Sequence, residues 1–207
     1  FTSGTTGKPK AVLHSFKTVY LHHIHICKES RFVSSDVWAH VAPMFHLVDA
    51  FSIFSITSVG GKHVFQEKFT PTQTIKLLKQ NNVTCTNMAS TQLEMCIQAG
   101  LQNNNLRLLS CGGSSLSSQT IEYIINSFDC EFFISYGMTE CCGKISLSLV
   151  ENYNKNKTHS KHNIQSSGRP FSSIQLKIID SNNNIVKPNN KEVGEVFIKG
   201  LSLFSGY

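Results

Sequence analysis

LRLLSCGGSSLSSQTIEYIINSFDCEFFISYGMTE, residues 106–140, carries the alternation that decides the fold. Leu106 to Cys111 is an apolar run of strand length ending at Gly112-Gly113-Ser114-Ser115. Ile121, Ile124, Ile125 and Phe128 then recur at i, i+3, i+4 and i+7, the spacing of one buried helix face. Glu131 to Ser135 reads as a second strand, and it runs into the loop Tyr136-Gly137-Met138-Thr139-Glu140. Repeated strand–helix alternation implies a parallel or mixed sheet covered by helices. Ligands of such sheets bind beyond the carboxyl ends of the strands, where both the Gly112 and the Tyr136 segments fall.

The same rhythm extends upstream. Val37 to Ala42 reads as a strand, and His46 to Val59 as a buried apolar helix stopped by Gly60-Gly61. Lys62 to Gln66 is a short strand. Thr70-Pro71 supplies an N-cap and a proline at the first helical position, opening a helix to Gln80 with Ile75 and Leu78 on one face. Val83 to Asn87 is another strand, and Thr91-Gln92-Leu93-Glu94 has the form of a capping box. Glu151 to Gln165 is rich in Asn, Lys and His and reads as a solvated loop. Beyond it the period changes. Ile174 to Ile179 and Val193 to Lys199 flank a turn at Ser181–Asn184, an antiparallel pattern. The expected fold class is therefore α/β: a helix-flanked mixed or parallel sheet followed by the start of an antiparallel β-barrel-like unit. The division expected is residues 1–165, a nucleotide-binding subdomain incomplete at its N-terminus, and residues 166–207.

Composition narrows the function. The chain has 207 residues, 40% of them hydrophobic, enough for one or two cores. A net charge of +6 comes from 19 basic and 13 acidic residues, dispersed and including Lys155, Lys157 and Lys161 in the polar loop. No basic stripe is interleaved with aromatics, which argues against nucleic acid and leaves a small polyanion as the matching partner. No run of about 18 apolar residues suggests a transmembrane helix. The seven cysteines include no Cys-x-x-Cys pair and several lie in apolar runs, a pattern of reduced, buried thiols expected in a cytoplasmic or reducing organelle-lumen protein. His22 and His25 could share a helix face, but no second ligand cluster accompanies them, so a polar helix segment is the preferred reading over a metal site. The Asn82 and Asn156 sequons are read as coincidental.

The first ten residues, Phe1-Thr2-Ser3-Gly4-Thr5-Thr6-Gly7-Lys8-Pro9-Lys10, have the composition of a phosphate-binding loop. Glycines let backbone approach an anion, hydroxyls and N–H groups donate to it, and lysines neutralise it. The spacing is not that of a Walker loop, and no hydroxyl stands at the magnesium position. The metal must then be held elsewhere, by a carboxylate. No Gly-x-Ser-x-Gly elbow is present, which disfavours a serine hydrolase.

Four segments, the opening loop, Pro43-Met44-Phe45-His46, Tyr136-Gly137-Met138-Thr139-Glu140, and Gly194-Glu195-Val196 continuing to Gly206-Tyr207, with Gly168-Arg169-Pro170 between the last two, resemble in order and spacing the adenylate-forming, AMP-binding enzymes. The resemblance covers essentially the whole chain and is strongest to the acyl-CoA synthetase branch. It implies that Thr2, Ser3, Gly4, Thr5, Thr6, Gly7 and Lys10 grip the ATP phosphates, with Ala11 standing where the family usually has glycine. It implies that Gly112, Gly113 and Ser114 flank the adenine opposite Tyr136, within a cofactor-binding segment that includes Gly137 and Met138. Thr139 would meet the α-phosphate, Glu140 would hold Mg²⁺, and His46 would gate the carboxylic acid. Lys10, Thr139 and Glu140 are the expected catalytic residues; ATP or AMP, Mg²⁺ and coenzyme A are the expected cofactors.

The implied function is ATP-dependent activation of a carboxylic acid to an acyl-adenylate, then thioester formation with coenzyme A. The apolar stretch Leu47 to Val59 suggests a fatty or aromatic acid. The resemblance also implies an N-terminal part and a C-terminal lysine-bearing domain outside these 207 residues, so that the chain is expected to be a fragment, inactive alone. The alternatives are a peptide-synthetase adenylation domain, with Asp49 the acidic residue near His46, or a non-catalytic nucleotide-binding remnant.

Overall fold

A computed structural model describes residues 1–2, 7–102, 105–150, 166–189 and 191–207. Ser3, Gly4, Thr5 and Thr6 of the opening loop, and the polar tract 151–165 with Lys155, Lys157, Lys161 and Asn156, lie outside the described residues.

Helix α1 (Phe16–Ser30) starts at Ser15, whose hydroxyl accepts the Thr18 N–H at 3.1 Å. Four strand–helix units follow: β1 (Val37–His40) and α2 (Leu47–Ser58), β2 (Lys62–Phe65) and α3 (Pro71–Gln80), β3 (Cys85–Met88) and α4 (Ser90–Gln98), β4 (Leu108–Gly112) and α5 (Ser118–Ser127). Then come β5 (Glu131–Met138), a single 3-10 turn (Thr139–Cys141), β6 (Gly143–Val150), β7 (Arg169–Pro170), β8 (Ile174–Ile179) and β9 (Glu195–Gly200).

Seven strands form one sheet in the order β2-β1-β3-β4-β5-β6-β7. The five from β2 to β5 are parallel, and β6 and β7 run antiparallel at the far edge. Strands β8 and β9 make a separate antiparallel pair, Ile174 opposite Gly200. The sheet is sandwiched by two apolar clusters. Leu78, Leu93, Ile121, Ile124 and Ile125 from α3, α4 and α5 fill one side, and Ile26, Trp38, Phe51 and Ile56 from α1, α2 and β1 fill the other. The mixed, helix-flanked sheet with antiparallel β after it is the α/β class that the periodicity indicates.

Local signals hold where their chemistry is short-range. Thr70 Oγ1 accepts the Gln73 N–H, with Pro71 first in α3. Ile121, Ile124 and Ile125 are buried as the 3.6-residue period requires. Two readings change. Helix α4 opens at Ser90 with Ala89 as its N-cap, two residues earlier than the Thr91–Glu94 box, because Gln92 Oε1 accepts the N–H of Ala89. Tyr136, Gly137 and Met138 are strand rather than loop. Strand β6, buried throughout Gly143 to Leu147, pairs with β5 as far as Met138 opposite Gly143.

Candidate active-site cleft

A cleft of about 610 Å³ opens at the carboxyl ends of the parallel strands. Four strand ends supply its walls: Pro43, His46 and Leu47 after β1; Ala89, Thr91 and Gln92 after β3; Gly112, Gly113 and Ser114 at the end of β4; and Gly137 to Glu140 at the end of β5. This is the expected place for a ligand in such a sheet. A smaller cleft of about 260 Å³ adjoins it and is lined by Tyr136, Ile134 and Ser167. Gly113, Ser114, Ser135 and Gly137 line both, so the β4 turn and the end of β5 form a shared ridge.

Two glycines make that ridge possible. Gly113 has φ +94°, open to glycine and strained for other residues. A Cβ on Gly137 would lie 2.0 Å from the Gly143 carbonyl oxygen, so only glycine lets β5 and β6 approach this closely. Beyond them, Thr139 opens the 3-10 turn, and its carbonyl accepts a hydrogen bond from His14 Nε2–H at 2.6 Å.

Of the residues singled out in the sequence, Thr2, His46, Gly112, Gly113, Ser114, Gly137, Met138, Thr139 and Glu140 line the larger cleft. Tyr136 lines the smaller one, while Gly7 and Lys10 line neither. The two ends of the opening loop are nevertheless clasped, since the Thr2 N–H donates to the Lys10 carbonyl at 2.9 Å. Lys10 Nζ lies 4.7 Å from the centre of the Tyr207 ring, and the Tyr207 hydroxyl donates to Glu140 Oε1 at 3.0 Å. Lys10 and Glu140 therefore flank one ring. His46 is the exposed N-cap of α2, and its ring centre is 4.5 Å from that of Phe45.

The buried face of α2 is partly polar, which the apolar reading of Leu47 to Val59 did not anticipate. The buried positions of α2 alternate Asp49, Ser52 and Ser55 with Phe51 and Ile56. Asp49 is wholly buried and accepts from Trp38 Nε1–H at 3.0 Å and from the His40 ring at 2.9 Å. His40 is hydrogen-bonded in turn to His63, and His63 to Thr57. Lys144 also lines the cleft, with only 6% of its surface exposed. Its ammonium donates to Asn87 Oδ1 at 2.8 Å and Ser110 Oγ at 2.6 Å, and lies 4.5 Å from the Phe51 ring centre. Burial pulls it down from the ordinary lysine value of 10.5 to about 7. The carbonyl of Lys144 accepts from His22 Nε2–H at 2.9 Å. Burial pulls His22 down to about 4. His25 bonds to Ser173 instead, and no metal-holding cluster of His, Cys, Asp or Glu occurs among the described residues.

Sequence reasoning missed Lys144 and His14, and it quoted Tyr207 in the Gly206-Tyr207 segment without giving it a role. Lys144 could have been flagged as a lone charge in the alternating run Ile145-Ser146-Leu147. Nothing local marked His14.

The AMP-binding enzyme family matches residues 1–207, the whole chain. The chain belongs to the AMP-binding enzyme family. Among curated relatives, 2-succinylbenzoate–CoA ligase of Arabidopsis thaliana is 31% identical over 157 residues, 72% of this chain and 28% of that protein. The same-named enzyme of Staphylococcus aureus (strain JH9) is 29% identical across 100% of the chain and 39% of its own length. Among solved structures, o-succinylbenzoate CoA synthetase of Bacillus subtilis in complex with ATP and magnesium ion superposes with TM-score 0.86 at 25% identity, covering 100% of this chain and 41% of that one. Its complex with an acyl-adenylate intermediate gives 0.85, covering 99% and 40%. This AMP-binding chain thus spans well under half the length of these relatives. No helix among the described residues is long and apolar enough to cross a membrane.

Proposed function

We propose that the cleft activates a carboxylic acid with ATP and that the whole protein then passes the acyl group to coenzyme A. The supporting observation is convergence: Thr2, His46, the Gly112–Ser114 turn and Thr139–Glu140, far apart in sequence, line one cleft at the strand ends. The names of the relatives, all ligases joining an acid to coenzyme A, point the same way.

In the proposed reaction a carboxylate oxygen attacks the α-phosphorus of ATP. An acyl–phosphate bond forms, the bond to the β-phosphate breaks, and pyrophosphate leaves with the electron pair. A thiolate then displaces AMP from the acyl carbon. Two anions meet in the first step, so fixed donors and cations must offset their repulsion. Lys10 and the loop Ser3–Thr6 are assigned to the β- and γ-phosphates, Thr139 to the α-phosphate, Tyr136 and the Gly112–Ser114 turn to adenine, and His46 to the edge of the acid. Glu140 suits an oxygen ligand of Mg²⁺: its carboxylate is half-buried, bonded to the Tyr207 hydroxyl, and faces no Lys or Arg ion pair among the described residues. When bound, Mg²⁺ would neutralise charge on the phosphate oxygens.

An aromatic acid fits better than a long fatty chain, because the acid named for the curated relatives, 2-succinylbenzoate, is aromatic. The amino-acid alternative is disfavoured, since both oxygens of Asp49 are already engaged. We retain the division into a nucleotide-binding subdomain (1–165) and a β-barrel-like unit (166–207). The test is calorimetric titration with ATP and Mg²⁺. The parent chain should bind, and Glu140→Ala should lose the Mg²⁺-dependent part of the affinity, at least ten-fold. No binding, or binding unchanged in Glu140→Ala, would refute the assignment.

A further inference from the structure

Lys144 is an ammonium in a cleft wall with no anion in contact. Its two hydrogen-bond partners, Asn87 Oδ1 and Ser110 Oγ, are neutral, and its third neighbour is the face of Phe51. The nearest acid that influences it is Asp49, whose oxygens are held by Trp38 and His40. Among the described residues it makes no ion pair. A lysine has three N–H donors, so two neutral acceptors leave one for a ligand.

A second group beside it is also unfulfilled. Asn87 is wholly buried, and its Nδ2 finds no hydrogen-bond partner in the structure. A buried donor left unpaired costs about 1–3 kcal/mol, and a buried charge more. Two unmet donors on adjoining residues, one of them lining the cleft, constitute an anion site waiting to be completed.

Position says which part of the ligand completes it. Glu140 and His46, the residues assigned to phosphate and carboxylate chemistry, are half-buried or exposed, whereas Lys144 is nearly inaccessible. Lys144 is thus the most buried of the three, suited to the part of a ligand farthest from the reacting carboxylate. An apolar tail reaching it would seal the ammonium from water beside hydrocarbon, which is strongly unfavourable. A second carboxylate there would ion-pair with it and accept the free N–H.

We propose that Lys144 is a specificity-determining residue of the acyl end of the cleft, and that the acid activated carries a second carboxylate at its far end, held by Lys144 Nζ with Asn87 Nδ2 as supporting donor. This rests on the reading of the cleft as an acid-activating site. The depressed proton affinity of Lys144 agrees with it: the groups facing the ammonium, Asp49 from α2, Cys111 from β4 and His22 from α1, do not neutralise it, and an incoming anion would.

The test uses non-hydrolysable acyl-sulfamoyl adenosines. Succinyl, glutaryl and adipyl forms are compared with their methyl-ended counterparts butanoyl, pentanoyl and hexanoyl, by calorimetry in two buffers at pH 8. In the parent chain one carboxylate-ended form should bind at least ten-fold tighter than its methyl-ended partner and take up a fraction of a proton from buffer, as Lys144 becomes charged. Lys144→Met should erase or reverse the preference. Equal or reversed preference in the parent chain, with ATP and Mg²⁺ still binding, overturns the inference alone. So does a preference that survives Lys144→Met. Should that variant not fold, absence of proton uptake by the parent chain overturns it. Failure to bind ATP with Mg²⁺ overturns the acid-activation reading, and this inference with it.

Discussion

A lysine buried without an anion makes stability rise with pH through the neutral range, opposite to the usual behaviour of a paired lysine. The folded chain releases the Lys144 proton at about 7, the unfolded chain at 10.5. Between those values the unfolded state binds more protons, so unfolding free energy increases with pH. The stabilisation is fully present above 10.5 and is lost as pH falls through 7. From pH 7 to about 8.5 the slope approaches 1.36 kcal/mol per unit, less the fraction already deprotonated at pH 7, giving about 1.5–2 kcal/mol. Lys144→Met keeps the unbranched chain and removes the titration. Other groups cancel in the comparison. The thiols that burial pushes up, Cys85 and Cys111 among them, titrate in both chains, and above about pH 9 they lower stability in both. The assay is urea unfolding at a series of pH values, followed by emission of the single tryptophan, Trp38, which is wholly buried between the sheet and Phe51. The parent curve should climb by about 1.5–2 kcal/mol relative to the variant over this window. Parallel curves would show that Lys144 is solvated in the folded state, and would refute its burial without an anion.

His22 carries the same sign at lower pH: its folded value of about 4 lies below 6.5, so stability falls between those values, by about 3 kcal/mol in total, and His22→Gln should flatten acid unfolding in that range. Gly137→Ala places a Cβ against the Gly143 carbonyl oxygen, 2.0 Å away, and should force β5 and β6 apart. Loss of ATP binding greater than the loss of thermal stability would be the expected signature, and unchanged binding would place the nucleotide elsewhere.

The parts of the fold visible in the sequence are those set by short-range chemistry. The Thr70-Pro71 start and the Ile121–Ile125 stripe are each decided within one or two turns, and both appear as read. Strand β6 was not read, although Ile145-Ser146-Leu147-Ser148-Leu149 alternates, because it breaks the strand–helix rhythm. It is the antiparallel neighbour of β5, and its pairing depends on the turn at Thr139–Cys141 and on Gly143. The candidate site was legible to the extent that it uses glycines and a strand end, because those residue types have backbone consequences. Lys144 stands out in sequence only as a lone charge, and its role was illegible because it lies in what surrounds it: Asn87 from β3, Ser110 from β4 and Phe51 from α2, three elements brought together only by the fold.

The histidines show the same limit from the other side. In sequence His22 and His25 suggest a metal site or a polar helix face; in the fold His22, together with His14, is a strut. His14 donates to the Thr139 carbonyl and His22 to the Lys144 carbonyl, one on each side of the 3-10 turn that carries Glu140. That turn needs support. Cys142 is in the left-handed region at φ 62° and Gly143 follows at φ 123°, and a non-glycine residue held there costs about 1–3 kcal/mol. Two imidazole donors fixed to the carbonyls on either side over-determine the turn and hold the Glu140 carboxylate at the cleft. The chemistry proposed for Glu140 therefore depends on residues that never touch a ligand. Replacing either histidine should loosen Mg²⁺-dependent binding before it affects binding of the acyl tail.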